Sequence, residues 1–326
     1  MLRAILNTGL ALFALLLAGC ERSPPAVAQT VTLAVAQQPT SVLYFIALEH
    51  KLFEKHGLIV DVKIYPSGKR ALEEGLLTGD ADIANPFDAP LALDFFDHPE
   101  LRVLASTVIS DNFSSIVARR DRGIAQPKDL RGRRIGIQAG SAVHFFLYQY
   151  LLEQGLSAEE VTLEPHKIED LPALLEAGRV DAVGLREPYL SQCLEKLDER
   201  STVFTAPGLY EQTELVVTNE KLLRERPTLA RAVLAALLEA ETYAKEPAAA
   251  ATLAHYLNIS VQAASEALSS FRIRVEMRQA LLLLLEELAR WGILSGQVKG
   301  EVPDYLDTLA PNALADLVPE RVNLIR

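Results

Sequence analysis

Residues 76–83, Leu-Leu-Thr-Gly-Asp-Ala-Asp-Ile, are answered 99 residues later by residues 175–182, Leu-Glu-Ala-Gly-Arg-Val-Asp-Ala. The shared pattern, Leu-x-x-Gly-x-x-Asp, reads as a helix end, a glycine stop and the approach to a strand. Outward from it the correspondence continues. Glu54-Lys55-His56-Gly57-Leu58 is matched by Glu153-Gln154-Gly155-Leu156, and Val60–Pro66 by Glu160–Pro165, at offsets of 98 or 99 residues. Further upstream, a strand over 31–36 followed by Gln37 and Thr40-Ser41 parallels a strand over 134–137 followed by Gln138 and Ser141. A period of this kind signals a duplicated structural unit.

Each copy has one physical reading. A β run leads to a Ser or Thr placed to cap a helix. An amphipathic helix follows (42–56 and 142–154), stopped by Gly57 or Gly155. A second strand ends at a proline. A second helix (69–78 and 169–177) is stopped by Gly79 or Gly178, and a third short strand follows (81–84 and 182–185). Strands alternating with helices predict an α/β fold, two mostly parallel sheets flanked by helices, one per lobe. Two lobes also suit the length of 326 residues, because single cores stop growing at about 250–300 residues. Open α/β sheets bind ligands outside the carboxyl ends of their strands, so two facing lobes place a ligand in the cleft between them.

The last third differs. Glu214–Thr218 is a strand candidate, and Leu229, Ala232, Val233, Ala236, Leu237 and Ala240 recur at helical spacing. Further helices are expected at 248–257 and 277–291, the leucine run 281–285 being a buried helix face. Packed back on the first lobe, these helices make it discontinuous: 31–113 plus 215–326, with the second lobe at 114–214. The chain then crosses between lobes twice, near Ser115–Ala118 and Thr213–Val216, which is a hinge.

Composition bounds the function. With 49% hydrophobic and 23% charged residues the chain is globular, neither disordered, collagen-like nor polytopic. A net charge of -11 argues against a nucleic-acid partner, which needs a basic face. Two cysteines, Cys20 and Cys193, are too few for a disulfide framework or a cysteine-rich zinc site. Residues 1–19 read as a signal peptide, with Arg3 before the apolar run Ala4–Ala18. Leu17-Ala18-Gly19-Cys20 resembles a bacterial lipobox, in which the cysteine becomes lipidated. The alternative is an ordinary signal cleaved near Ala28. In the first reading residues 20–30 are a tether on a lipid anchor, facing the periplasm or the cell exterior.

The run Asp129-Leu130-Arg131-Gly132-Arg133-Arg134-Ile135-Gly136-Ile137-Gln138-Ala139-Gly140-Ser141-x-x-His144 is similar to the second-lobe opening of the solute-binding proteins of ABC importers for nitrate, alkanesulfonates and taurine. Leu175-x-x-Gly178-x-Val180-Asp181-Ala182 with Glu187-Pro188 resembles the same family, as does Gly57-Leu58-x-Val60 with Ser67-Gly68. The resemblance covers about residues 31–225. It implies the two-lobed type 2 periplasmic-binding-protein fold, capture of a small, anionic organic solute in the cleft, hinge closure, and delivery to a permease with a cytoplasmic ATPase. A monomer without cofactor, metal or catalytic residue is expected. The alternatives are a sensory lipoprotein that docks on a signalling partner, and an enzyme resembling the thiamine-pyrimidine synthases.

The candidate ligand-binding residues are Gln38, Thr40, Ser41, Ser67, Gly68, Asn85, Phe87, Gly140, Ser141, Val143, His144, Arg186, Glu187 and Thr213. Thr40, Ser41 and Ser141 sit at helix starts, where free N–H groups and a hydroxyl favour an anion; simple capping is the alternative. Gly68 permits close approach of a ligand to the backbone. Arg186 stands where many family members carry an aromatic residue. It offers paired donors to a carboxylate, sulfonate or phosphate, or else pairs with Glu187 or points to solvent.

Overall fold

A computed structural model describes residues 28–325. It contains two sheets. In the first, Gln29–Ala36 lies between Leu58–Tyr65 and Ile83–Ala84, all parallel. In the second, Arg134–Ile137 lies between Thr162–Pro165 and Ala182–Leu185, again parallel. The repeat in the sequence is therefore a repeat of strand order, with the first strand of each copy central.

Each parallel triplet is then extended by antiparallel strands. Gln212–Asn219 pairs with Ile83–Ala84 and with Leu101–Ser110, which in turn pairs with Arg272–Arg278. In the other sheet Ser115–Arg119 pairs with Ala182–Leu185 and with Ser201–Phe204. The chain thus leaves the first sheet after Ser110, enters the second at Ser115, and returns between Phe204 and Gln212. The first crossing, 111–114, contains the expected boundary between 113 and 114, whereas the return crossing lies ahead of the expected Thr213–Val216. Gln212, Thr213 and Glu214 already belong to the first sheet, because they pair with Ser110, Ile109 and Val108.

The sequence reading places no strand at Leu101–Ser110. These ten residues are buried on both faces apart from Arg102, so the alternation that marks a half-exposed strand is missing. The expected helix 277–291 is observed as Gln279–Leu294, preceded by the strand Arg272–Arg278. The expected helix 42–56 is two helices, Val42–Glu49 and Leu52–Lys55, separated by Lys51 in the left-handed region at φ 53°. The first of them is not amphipathic. Every residue from Val42 to Ala47 is buried, because helices Pro227–Tyr243 and Ala248–Leu257 cover the face turned away from the sheet. The expected helix 69–78 is a short α turn, Gly68–Arg70, followed by a π turn, Ala71–Leu76. Among the described residues no helix is long and apolar enough to cross a membrane. The signal peptide and Cys20 lie outside the described residues, and Cys193 is a buried free thiol.

Candidate functional site

The site is built from the carboxyl ends of the parallel strands. Gln29–Ala36 runs into Gln38 and the turn Pro39–Ser41. Leu58–Tyr65 runs into Pro66 and Ser67, and Ile83–Ala84 into Asn85–Phe87. From the facing lobe, Arg134–Ile137 runs into Gln138 and Ser141, and Ala182–Leu185 into Arg186. Seven of the expected residues line one cavity between the sheets: Gln38, Ser67, Gly68, Phe87, Ser141, Val143 and Arg186. Lys69, Pro90, Gln138, Ala142 and Gln212 complete the lining.

The lobes are drawn together across this cavity. Gln138 Nε2 donates to Ser67 Oγ at 3.0 Å. The Arg186 guanidinium and the Tyr189 hydroxyl both donate to Pro66 O at 3.2 Å. At the rim Arg70 meets Glu169 at 2.5 Å. The space left is about 10 Å3, room for about one water.

Arg186 is buried, at 3% exposure. Its donors reach only backbone carbonyls, Glu187 O at 2.7 Å and Pro66 O at 3.2 Å. The guanidinium carbon lies 5.9 Å from the Phe113 ring centroid and 5.8 Å from that of Tyr189. Among the described residues no carboxylate comes within 4.0 Å of it. Burial pushes its pKa down to about 10. Pairing with the Glu187 carboxylate and exposure to solvent are both excluded. Glu187 instead accepts from Ser191 N and Oγ at 3.2 and 2.9 Å, inside the start of helix Tyr189–Leu197.

Thr40, Ser41 and Asn85 do not line the cavity. Their side chains converge on Glu214, a fully buried carboxylate that sequence reasoning missed. Glu214 Oε1 accepts from Thr40 Oγ1 at 2.7 Å, Asn85 Nδ2 at 3.0 Å and Gln38 Nε2 at 3.1 Å, with Ser41 Oγ at 3.4 Å. Thr107 Oγ1 donates to Oε2 at 2.9 Å. The donors expected to serve a ligand anion thus serve a carboxyl group of the protein's own. The only signal was a glutamate directly before the apolar run Leu215–Val217, and Thr107 as a donor has no sequence cue at all.

The remaining expected residues serve the frame. Ser141 caps its own helix, accepting from His144 N at 3.2 Å and donating to Gln138 O at 2.7 Å. Gly140 N donates to His144 Nδ1 at 3.2 Å. His144 packs edge-on against Trp291 of the other lobe, and burial pushes its pKa down to about 4, so it is neutral at pH 7. A Cβ on Gly68 would lie 2.9 Å from Asn85 O, so this glycine first of all lets the Asn85–Phe87 segment approach. Thr213 lies outside the cavity, and its N–H donates to Asp88 Oδ2 at 2.8 Å.

Asp88 is a second buried carboxylate, at the return crossing. It accepts from Thr213 N, from Ala89 N at 2.7 Å and from the Tyr210 hydroxyl. Burial pushes both Asp88 and Glu214 up to about 7, against ordinary values of 3.8 and 4.5. The fold binds these protons more tightly than the unfolded chain does. The stability they contribute is full below the ordinary carboxylate values and is lost as the pH rises to about 7. In urea unfolding between pH 5 and 7, Asp88→Asn is expected to flatten the fall of stability with pH by up to about 1.4 kcal/mol per pH unit. An unchanged slope would exclude Asp88 as a titrating group.

Solved structures share this architecture. The alkanesulfonate-binding protein SsuA from Xanthomonas axonopodis pv. citri, bound to MOPS, matches with a TM-score of 0.74 at 18% identity, over 89% of this chain and 99% of that one. The desulfurization enzyme DSZB matches with a TM-score of 0.62 at 18% identity, over 90% and 99%. The fold is therefore the two-lobed periplasmic-binding-protein fold, and one similar fold carries an enzyme. In sequence, the taurine-binding periplasmic protein of Escherichia coli (strain K12) is 28% identical over 176 residues. That match covers 52% of each chain, so this chain spans about half the length of that curated relative. The family model "NMT1/THI5 like" matches residues 38–250, and the chain belongs to that family.

Proposed function

We propose that this chain is the solute receptor of an ABC importer, exported and held on a membrane by lipid at Cys20. In this reading the sequence-based bounds, 31–113 with 215–326 for lobe one and 114–214 for lobe two, are adjusted at the return crossing: Gln212–Glu214 pair in the first sheet and pass to lobe one. A small organic anion of the sulfonate, taurine or nitrate type enters the open cleft. The lobes close on it about the two crossings, and the closed monomer docks on its permease. The role involves binding and release, with no covalent step and no cofactor. Similarity to taurine- and alkanesulfonate-binding proteins supports it.

One observation carries the anionic character of the solute. Arg186 is a buried cation that lines the inter-lobe cavity and has no carboxylate partner among the described residues. Removing a guanidinium from water costs several kcal/mol unless a counter-charge offsets it, and an anion placed between the lobes is that counter-charge. Lys69 also lines the cavity, but its charge is already met by Glu73 Oε1 at 2.5 Å. The acidic surface does not oppose this, because the attraction is local and shielded from water. Calorimetric titration with organic sulfonates, carboxylates and phosphonates is expected to show binding, and matched neutral alcohols and amines are expected to give none. Binding confined to neutral or cationic compounds would overturn the reading.

A further inference from the structure

Gln38 is fully buried and lines the cavity. Its Nε2 donates to Thr40 Oγ1 at 2.9 Å and to Glu214 Oε1 at 3.1 Å. Its Oε1 is buried and has no donor among the described residues. A buried acceptor left without a donor is costly, and such groups in folded proteins call for an explanation.

Turning the amide over does not remove the problem. The amide oxygen would then face Glu214 Oε1, which already accepts from Thr40 and Asn85, and both donated bonds would be lost. An ionised carboxylate has no hydrogen to offer an amide oxygen. Glu214 therefore sets the direction of the Gln38 amide, and the oxygen is what Gln38 has left for a bound molecule. Across the same cavity, on the other lobe, stands Arg186.

From these two groups we infer that the solute is bifunctional: its anionic group lies on Arg186, and a hydrogen-bond donor at its far end, hydroxyl or ammonium, lies on Gln38 Oε1. This rests on the receptor reading above and narrows it. Inorganic anions and plain alkyl sulfonates or carboxylates offer nothing to Gln38. A site built around a polar partner discriminates strongly against the analogue that lacks it, because its own buried group is then left unpaired.

The test is a set of titrations of the full chain at pH 8, above the value of about 7 to which burial pushes Glu214. One series is propane-1-sulfonate, 2-hydroxyethanesulfonate and 2-aminoethanesulfonate. The other is butanoate, 3-hydroxypropanoate and 3-aminopropanoate. Within each series the members have nearly the same size and differ in the terminal group. At least one donor-bearing member is expected to bind about 10-fold or more tightly than its methyl counterpart. The hydroxyl and ammonium arms show which donor is taken. Gln38→Met, close in volume, is expected to abolish the difference. Methyl-terminated anions binding within about twofold of the others would overturn the inference and leave the receptor reading standing. A preference that survives in Gln38→Met would overturn it too, since recognition would lie elsewhere. Failure of every anion to bind the wild type would overturn the receptor reading, and this inference with it. The wild-type series needs no variant to fold.

Discussion

Glu214→Ala is expected to lower the unfolding free energy by about 3–5 kcal/mol at pH 7, as measured by urea denaturation. Its carboxylate is the common acceptor for Thr40, Asn85, Gln38 and Thr107, all buried. Truncation takes the acceptor from the buried Thr40 and Thr107 hydroxyls, each such group costing about 1–3 kcal/mol before relaxation, while Gln38 Nε2 and Asn85 Nδ2 keep only Thr40 Oγ1 and Ser41 Oγ. It also leaves a cavity at the centre of the first sheet, between Leu101–Ser110 and Ile83–Ala84. The carboxylate itself is held near its protonation point by burial. Removing it relieves that cost, and this is why the expected loss is smaller than the sum over the orphaned donors. A Glu214→Ala/Thr40→Val double-mutant cycle should show a coupling of about 1–3 kcal/mol. A loss below about 1 kcal/mol in the single variant would mean that Glu214 does not hold this network together.

The second large effect separates binding from stability. Arg186→Met is expected to weaken organic-anion binding by about 100-fold or more, since truncating one partner of a buried charge pair costs about 2–5 kcal/mol. Its effect on stability in the absence of solute is expected to stay within about 2 kcal/mol in either direction. Two contributions oppose each other there. The variant loses donated bonds to Pro66 O and Glu187 O and the packing on Phe113 and Tyr189. It also removes a guanidinium whose burial already drives its pKa down to about 10. Arg186→Lys keeps the charge but not the planar pair of donors, so its affinity should fall between the two. If Arg186→Met binds the same anions as tightly as the wild type, Arg186 is a structural group of the seam and not a ligand group.

The duplicated unit was legible because it depends on local chemistry. Gly57, Gly79, Gly155 and Gly178 all take positive φ, a conformation that glycine adopts without strain, so helix ends announce themselves in the chain. Strand ends at Pro66 and Pro165, and caps such as Ser141, are readable for the same reason. Leu101–Ser110 and Arg272–Arg278 were not readable. One is buried on both faces and the other adjoins a long leucine-rich helix that dominates its neighbourhood.

The candidate site divides along the same line. The positions at strand ends, from Gln38 to Arg186, follow from where α/β sheets present their loops, and that is a matter of chain order. What each side chain does there is not. Thr40, Ser41 and Asn85 have the composition of an anion site, and whether the anion comes from outside or from Glu214 depends on a strand about 130 to 175 residues further along the chain. Arg186 is likewise ambiguous as a residue type, since a guanidinium can pair with its neighbour, reach solvent or wait for a ligand. The sequence alone determined the number of lobes and the repeated alternation of strands and helices, and from them the expected place of the cleft, because glycine stops, caps and periodicity act within a few residues of themselves. Only the tertiary structure decided which polar groups remain free within that cleft, because hydrogen-bond satisfaction and burial are set by partners that the chain brings together from far apart.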